Sequence, residues 1–233
     1  MIKRILCSQL LQIHIQSYLE NLGPGENFKV IFGGHWSDHG GWFVLSEEDQ
    51  DITRPLGFSN ESVDVIFTEH VLEHISFVDC ISFMRESRRI LKPAGVLRVI
   101  SPMIERILPV SLDDEKSRQY IHNQLIHVYQ KENEILKKDL GLDGVHEFRK
   151  TFMLNDIFRE HGHKFLWSAE LMVKVLRALG YRQAQVCEVG EGSNPDYCIE
   201  RRRRGIYRGN DWREDRLPGY VYDAESGVVE AIK

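Results

Sequence analysis

The sequence lacks the features that mark membrane, secreted and nucleic-acid-binding proteins. No apolar run approaches the roughly 20 residues that cross a bilayer, and polar residues interrupt the N-terminal stretch where a signal peptide would need an apolar core. Lys and Arg total 30 against 35 Asp and Glu, a formal net charge of -5, which argues against a broad nucleic-acid-binding face. The 4 cysteines form no C-x-x-C pair, as is typical of reduced thiols in the cytosol. We therefore expect a cytoplasmic protein with no membrane or nucleic-acid partner.

The composition suits a single globular domain. The chain has 233 residues, of which 42% are hydrophobic and 28% charged, enough for one core with a solvated surface. We interpret residues 1–233 as one domain, and 1–27 as a segment that contains an N-terminal amphipathic helix.

Apolar residues alternate between strand-like runs and helical spacing. Strands are predicted at Phe28–Phe32, Trp42–Leu45, Val63–Phe67, Val96–Ile100, Gln185–Val189 and Gly227–Ile232. The apolar residues of Phe77–Leu91 recur at helical spacing between two of these runs. A strand followed by a crossover helix and another strand is the pattern of a parallel α/β sheet.

Two segments interrupt this pattern. Residues 103–165 are mostly helical in propensity and rich in Lys, Glu, Gln and His. We interpret them as a helical insertion that acts as a mobile lid, since long connections are usually functional or disordered. Ser168 then caps the next predicted helix, and residues 190–226 read as an irregular loop before the last strand.

Several segments, taken in order, carry a resemblance to a known family. They are Asp51–Leu56 (DITRPL), Ser62–Ile75 (SVDVIFTEHVLEHI), Arg89–Pro102 (RILKPAGVLRVISP), Asn155–Trp167 (NDIFREHGHKFLW), Ala178–Tyr181 (ALGY) and Glu225–Lys233 (ESGVVEAIK). In them the chain resembles the class I S-adenosylmethionine-dependent methyltransferases of the type 11 group, and it is similar to those of bacterial polysaccharide and natural-product gene clusters. The resemblance implies an α/β Rossmann-like fold with a mostly parallel seven-stranded sheet and helices on both faces. It also implies S-adenosyl-L-methionine as the cofactor.

The loop after the first strand is the first candidate cofactor contact. It reads Gly33-Gly34-His35-Trp36, and glycine lets backbone come close to a ligand at the carboxyl end of a strand. The resemblance would place a third small residue at His35. Either the loop opens to hold the imidazole, or cofactor binding is weakened or lost. Gly33 and Gly34 would also suffice for a tight turn without a ligand.

The resemblance implies three contacts to the adenosine part of the cofactor. Glu47 would bind the ribose hydroxyls, although Ser46 stands at the position where the family usually has the acid. Asp51 would accept a hydrogen bond from the adenine amine while Ile52 packs on the ring. Asp51 also suits an ordinary turn before Pro55.

The end of the third predicted strand is the best candidate reactive site. The resemblance places Thr68 and Glu69 beside the cofactor's methyl group, and His70 follows them. A neutral imidazole can take a proton from a hydroxyl during methyl transfer, so His70 is a candidate base. The alternative is that His70 only braces the loop.

His70, Glu73 and His74 also spell H-x-x-E-H, a zinc-peptidase pattern. That interpretation requires a long helix bearing both histidines, whereas this pattern begins directly at a strand end. We therefore expect no metal ligands here. Glu73 shapes the loop, and His74 is a candidate substrate contact.

A second histidine pair lies before the capped helix, where the resemblance places it beside the active site. His163 is the second candidate base, and His161 and Asn155 are candidate acceptor contacts. An H-x-H sequence on a surface is also compatible with no function or with an adventitious metal site.

These features predict an S-adenosylmethionine-dependent methyltransferase. The acceptor is an oxygen, or less favourably a nitrogen, of a small polar, sugar-like or glycan-like molecule, and a homodimer is left open. His35 and Ser46 support an alternative, a catalytically inactive scaffold or interaction protein with the same fold. An enzyme that uses the bound cofactor for chemistry other than methylation is a third hypothesis.

Overall fold

The computed structural model describes residues 2–33, 40–107, 125–200 and 225–233. Its helices are α1 (Ile2–Glu20), α2 (Phe77–Ile90), α3 (Ile104–Ile107), α4 (Gln130–Glu134), α5 (Arg149–Arg159) and α6 (Ala169–Ala178). Its strands are β1 (Lys29–Phe32), β2 (Phe43–Leu45), β3 (Val63–Glu69), β4 (Leu91–Pro102), β5 (Gln183–Cys187) and β6 (Ser226–Ile232). Short 3₁₀ turns cover Leu72–His74 and Pro195–Tyr197, and a π-helical turn covers Ile135–Asp139.

The described strands form one sheet in the order β2-β1-β3-β4-β6-β5. Strands β1 to β4 pair in parallel, whereas β6 is antiparallel to both β4 and β5. Among the described strands, β6 alone therefore opposes the common direction. The predicted mostly parallel α/β sheet is confirmed, and its parallel strands bring their carboxyl ends to one edge.

The sheet has six strands within the described residues, against the seven that the resemblance implied. The connection from β2 to β3, residues 46–62, forms turns instead of a strand. Side chains of α2 bind its backbone: Glu86 Oε2 accepts from Leu56 N at 2.9 Å, and Arg89 donates to the carbonyls of Leu56 and Phe58 at 2.9 and 2.8 Å. Backbone groups that a strand would pair in a ladder are satisfied here by these side chains.

Successive residues of β3 contribute to opposite faces of the sheet, as the strand period requires. Ile66 belongs to the larger core, which α1, α2 and α6 cover. Val65 and Phe67 belong to a smaller core on the other face, where Ile199 packs. Within the described residues the long helices thus cover one face, whereas the resemblance implied helices on both.

The chain that enters the segment 103–165 and the chain that leaves it lie side by side. Met103 bridges to Trp167, and Ile104 N donates to the Trp167 carbonyl at 3.0 Å. The described part of the segment contains α3, α4 and α5 and packs around a small core of its own. That core consists of Ile107, Leu125, Val145, Met153, Ile157 and Leu166. Residues 108–124 lie outside the described residues, and lid motion stays a prediction.

Ser168 caps α6 as predicted, because its Oγ accepts a hydrogen bond from Leu171 N at 3.1 Å. The predicted loop 190–226 is described only to Glu200 and from Glu225 onward. None of the helices in the described ranges is long and apolar enough to cross a membrane.

Candidate active site

The chain turns sharply where β3 ends, and His70 is the residue at the turn. Its φ of 52° lies in the left-handed region, which is uncommon for a residue with a Cβ. Its ring is held at both nitrogens: Nδ1 is 3.2 Å from Glu73 Oε1, and Nε2 is 2.8 Å from Ser226 Oγ. The side chain is only 16% exposed. These contacts fix the orientation of the imidazole at the carboxyl edge of the sheet.

Glu73 is the buried partner of His70. Its side chain is fully buried, and Oε2 accepts a hydrogen bond from Ser101 Oγ at 3.1 Å. Burial favours a higher pKa of Glu73, but the hydrogen bond and charge of His70 outweigh burial and lower it. Burial likewise favours a lower pKa of His70, and Glu73 outweighs it and raises that pKa. In the neutral ring the carboxylate keeps the proton on Nδ1, so Nε2 is the basic nitrogen.

Residues 161–165 lie directly against the turn that carries Glu73. The backbone amides of Lys164 and Phe165 both donate to the Glu73 carbonyl, at 2.7 and 3.2 Å. This pairing brings the ring centroids of His163 and His74 to 4.9 Å from each other. Two parts of the sequence that lie far apart in the chain therefore meet at one site.

The two histidines of this segment have different surroundings. His163 contacts the Ile157 carbonyl through Nδ1 at 2.5 Å, and burial lowers its pKa. His161 Nε2 is 3.5 Å from Asp156 Oδ1, and the hydrogen bond to this buried carboxylate raises the pKa of His161. The structure thus brings His70, His74, His161 and His163 together around Glu73.

Sequence reasoning missed the polar residues that complete this cluster. Ser101, Ser226 and Asp156 contact its histidines or Glu73. Burial raises the pKa of the neighbouring Glu225, although the charge of His70 opposes the shift. The sequence offered one signal for the two serines, which is their position at strand ends. Ser101 lies near the end of β4, Ser226 begins β6, and the two strands pair there.

Asn155 is the one candidate in this region that stands apart. Its Nδ2 donates to the Thr151 carbonyl at 2.8 Å within α5. No contact among the described residues joins it to the histidine cluster, so an acceptor role for Asn155 stays a prediction.

The carboxyl ends of β1 and β3 lie side by side, with Phe32 paired to Thr68. Gly33 follows β1 with φ of 79°, and a Cβ on it would lie 2.2 Å from Val71 Cγ2. Thr68 is 1% exposed, and its Oγ1 has no hydrogen-bond partner within the described structure. Val71 thus fills the space beside Gly33, and the buried, unpaired Thr68 hydroxyl is the group here that suits a polar ligand.

Two of the three candidate adenosine contacts, Asp51 and Ile52, make contacts within the protein itself. Glu47 is exposed in the turn after β2. Asp51 Oδ1 accepts from the amide and hydroxyl of Thr53 at 2.9 and 2.6 Å, which is the predicted turn role. Ile52 packs in the larger core. Any cofactor contact by these three residues stays a prediction.

Three candidate cofactor residues remain: Glu69, Gly34 and His35. Glu69 ends β3, where it pairs with Ile100 of β4, beside the histidine cluster. Gly34 and His35 lie outside the described residues, so the effect of His35 on the cofactor loop stays open to experiment.

Comparisons with known proteins found one family match and several similar solved structures. Residues 42–99 match the family model described as a methyltransferase domain. No curated protein matches the chain. Similar solved structures include an S-adenosylmethionine-dependent methyltransferase from Archaeoglobus fulgidus, with 12% identity, 97% of this chain and 94% of that chain covered, and a TM-score of 0.43.

Two further similar structures have enzyme names. One is a Thermotoga maritima S-adenosylmethionine-dependent methyltransferase, described as a possible histamine N-methyltransferase, at 15% identity, with 99% and 93% of the two chains covered and a TM-score of 0.39. The other is human N-acetylserotonin methyltransferase in complex with S-adenosylmethionine, at 13% identity, with 90% and 41% covered and a TM-score of 0.41.

The described sheet is parallel except for β6 and has polar side chains at its carboxyl edge. The methyltransferase-domain match covers β2, β3 and most of β4, the part of the sheet that ends in Glu69 and the turn at His70.

Proposed function

We propose that this chain is an S-adenosylmethionine-dependent methyltransferase, that it methylates an oxygen of a small polar or sugar-like acceptor, and that His70 is the general base. The observation that carries the proposal is the fixed position of His70, between Glu73 and Ser226 at the carboxyl end of β3. His163 is the weaker candidate, because only one of its ring nitrogens has a described hydrogen bond.

The cofactor would lie against the ends of β1 and β3. Gly33 lets the chain turn there with a φ of 79°, and the buried Thr68 Oγ1 would gain the partner that it lacks among the described residues. When bound, S-adenosylmethionine supplies a methyl group on a positively charged sulfur. The chain's own contribution is to hold the acceptor in line with that methyl group, which accounts for much of such a barrier.

The acceptor hydroxyl must lose its proton as its oxygen is methylated. Nε2 of His70 is the atom that takes this proton, either in place of its contact with Ser226 Oγ or through that hydroxyl. Glu73 then stabilises the imidazolium through Nδ1 at 3.2 Å. A fixed base of this kind typically contributes about 10²–10⁴-fold to the rate.

A hydroxyl acceptor explains the need for a base better than an amine does. A neutral amine attacks through its lone pair before it loses a proton, whereas a hydroxyl gains most from proton removal during attack. His161, Asp156 and Glu225 add polar groups beside His70. Such groups suit a ligand with several hydroxyls, which is the chemistry of a sugar.

The test uses S-adenosylmethionine carrying an isotopically labelled methyl group and two matched acceptor panels. One panel contains monosaccharides, and the other their amino-sugar analogues. We expect label on oxygen, located by mass spectrometry, with the demethylated cofactor formed in equal amount. His14→Gln, on the exposed face of α1, is the matched control and should keep the wild-type rate. Label on nitrogen, or cofactor binding without transfer to either panel, would contradict the proposal.

A further inference from the structure

We propose that Glu73, His74 and His163 form a binding site for one divalent transition-metal ion. One ligand atom from each lies within 4.8 Å of the other two. Two imidazoles and one carboxylate are a typical ligand set for zinc, with the fourth position left to water or another small ligand. The chemistry of the three side chains therefore favours Zn²⁺.

The backbone already holds the two halves of the site together. Glu73 and His74 come from the turn after β3, and His163 comes from the end of the helical insertion. The amides of Lys164 and Phe165 donate to the Glu73 carbonyl, so the ligands approach without a rearrangement of the main chain. Tetrahedral zinc holds its ligand atoms about 3.3 Å apart. The ligand atoms here lie within 4.8 Å of one another, and rotation of the half-buried His74 and His163 side chains can shorten these distances.

His163 and Glu73 also make the additional hydrogen bonds that orient ligands at metal sites. His163 Nδ1 is 2.5 Å from the Ile157 carbonyl, which places the proton on Nδ1 and leaves Nε2 to bind metal. Ser101 Oγ and His70 Nδ1 lie beside the two oxygens of Glu73, at 3.1 and 3.2 Å. Each carboxylate oxygen has a further lone pair, so Glu73 can bind the ion and keep these orienting contacts.

This site differs from the zinc-peptidase interpretation of H-x-x-E-H. In that pattern His70 and His74 would both be ligands, and Glu73 would be the base. Here Glu73 and Ser226 occupy the two nitrogens of His70, and His163 from the insertion is the second imidazole. The expectation of no metal was drawn from the local pattern, which cannot show a ligand that only the fold brings near. The ion would tie residues 161–165 to the turn after β3, independently of the acceptor that is methylated.

The first experiment measures metal binding by the full chain. The protein is stripped with a chelator, dialysed, and titrated with Zn²⁺ alone and with Co²⁺ alone. We expect one zinc per chain by elemental analysis, visible absorption bands of tetrahedral Co²⁺, and an X-ray absorption spectrum with nitrogen and oxygen neighbours but no sulfur. Absence of binding at micromolar metal, or sulfur among the neighbours, would overturn the proposal.

Variants then locate the site. His74→Asn and His163→Asn should each weaken zinc affinity at least about 100-fold, and Ser101→Ala about 10-fold, because the loss of one orienting partner typically costs 10–100-fold. His161→Asn and the distant His14→Asn are matched controls that should leave the affinity unchanged. If His161→Asn weakens binding as much as His74→Asn, the metal is held by the exposed H-x-H pair and the proposal is wrong. If His163→Asn does not fold, His74→Asn and the cobalt spectrum of the wild type decide.

Discussion

Gly33 and Val71 meet so closely that no side chain can be added between them. A Cβ on Gly33 would lie 2.2 Å from Cγ2 of Val71, and the Gly33 amide donates to the Leu45 carbonyl at 2.8 Å. This contact joins the loop after β1 to the loop after β3. The position of the cofactor loop is thus coupled to the position of the turn that bears His70 and Glu73.

Gly33→Ala should therefore destabilise the fold by about 2–5 kcal/mol, through a positive φ and overpacking together. Gly25→Ala is the matched control, because Gly25 has φ of 81° but nothing within 4 Å of a Cβ. That variant should lose only the conformational part, about 1–2 kcal/mol. Urea unfolding of both measures the difference, and equal losses would show that the Val71 contact relaxes freely.

A substitution at Asp51 tests whether this residue binds the cofactor or only stabilises a turn. If it accepts from the adenine amine, Asp51→Ala should weaken S-adenosylhomocysteine binding by about 1–3 kcal/mol, the cost of an unpaired buried donor. Thr53→Val is the control, because it removes the Thr53 hydroxyl bond to Asp51 Oδ1 while the carboxylate remains. Calorimetric titration measures both variants. Equal affinity for wild type and Asp51→Ala would leave Asp51 with its turn role alone.

Arg98 is buried between two carboxylates, in an ion pair with Glu200 and 3.1 Å from Glu230 Oε2. Arg98→Met leaves both acids buried without their cation and should cost about 3–5 kcal/mol of unfolding free energy. The control is Arg106→Met, because Arg106 and Glu188 form an exposed pair, which is worth about 0–1 kcal/mol. A loss at Arg98 as small as that at Arg106 would mean that water reaches the carboxylates.

Glu86 should make the protein less stable as the pH falls. The hydrogen bond from Arg89 holds the pKa of Glu86 below its usual 4.5, against the effect of partial burial. The stabilisation is therefore present above pH 4.5 and is lost as the pH falls through the lowered pKa. Glu86→Gln should cost about 1–3 kcal/mol at neutral pH and progressively less in acid. A difference from wild type that is constant from pH 7 into acid would contradict this assignment.

The sequence was sufficient for the elements that depend on local pattern. The apolar run at Val63–Phe67 and the helical spacing of Phe77–Leu91 correspond to β3 and α2, and Ser168 caps its helix as expected. Strand β4 begins earlier than predicted, at Leu91, because Leu91 already pairs with Val63 before a bulge at the Ala94 turn.

The parts that depend on long-range contacts could not be derived from local pattern. Nothing near His163 indicates that its segment lies on the Glu73 carbonyl, and nothing in an apolar strand indicates that Arg98 has two buried partners. The resemblance brought His70 and His163 to one region, but the pairing of His70 with Glu73 and Ser226 required the fold.

The catalytic prediction rests on that pairing. His70→Gln keeps the size of the side chain and one hydrogen bond but cannot take the proton, so kcat should fall by about 10²–10⁴-fold. Affinity for S-adenosylhomocysteine should barely change, because His70 is expected to contact the acceptor and not the adenosine part of the cofactor. Glu73→Gln should lower kcat with little change in KM, as expected of a positioning residue that acts through His70 Nδ1. His163→Gln is the comparison: if it alone loses turnover, His163 is the base. If both histidine variants keep the full rate, the enzyme works by positioning alone.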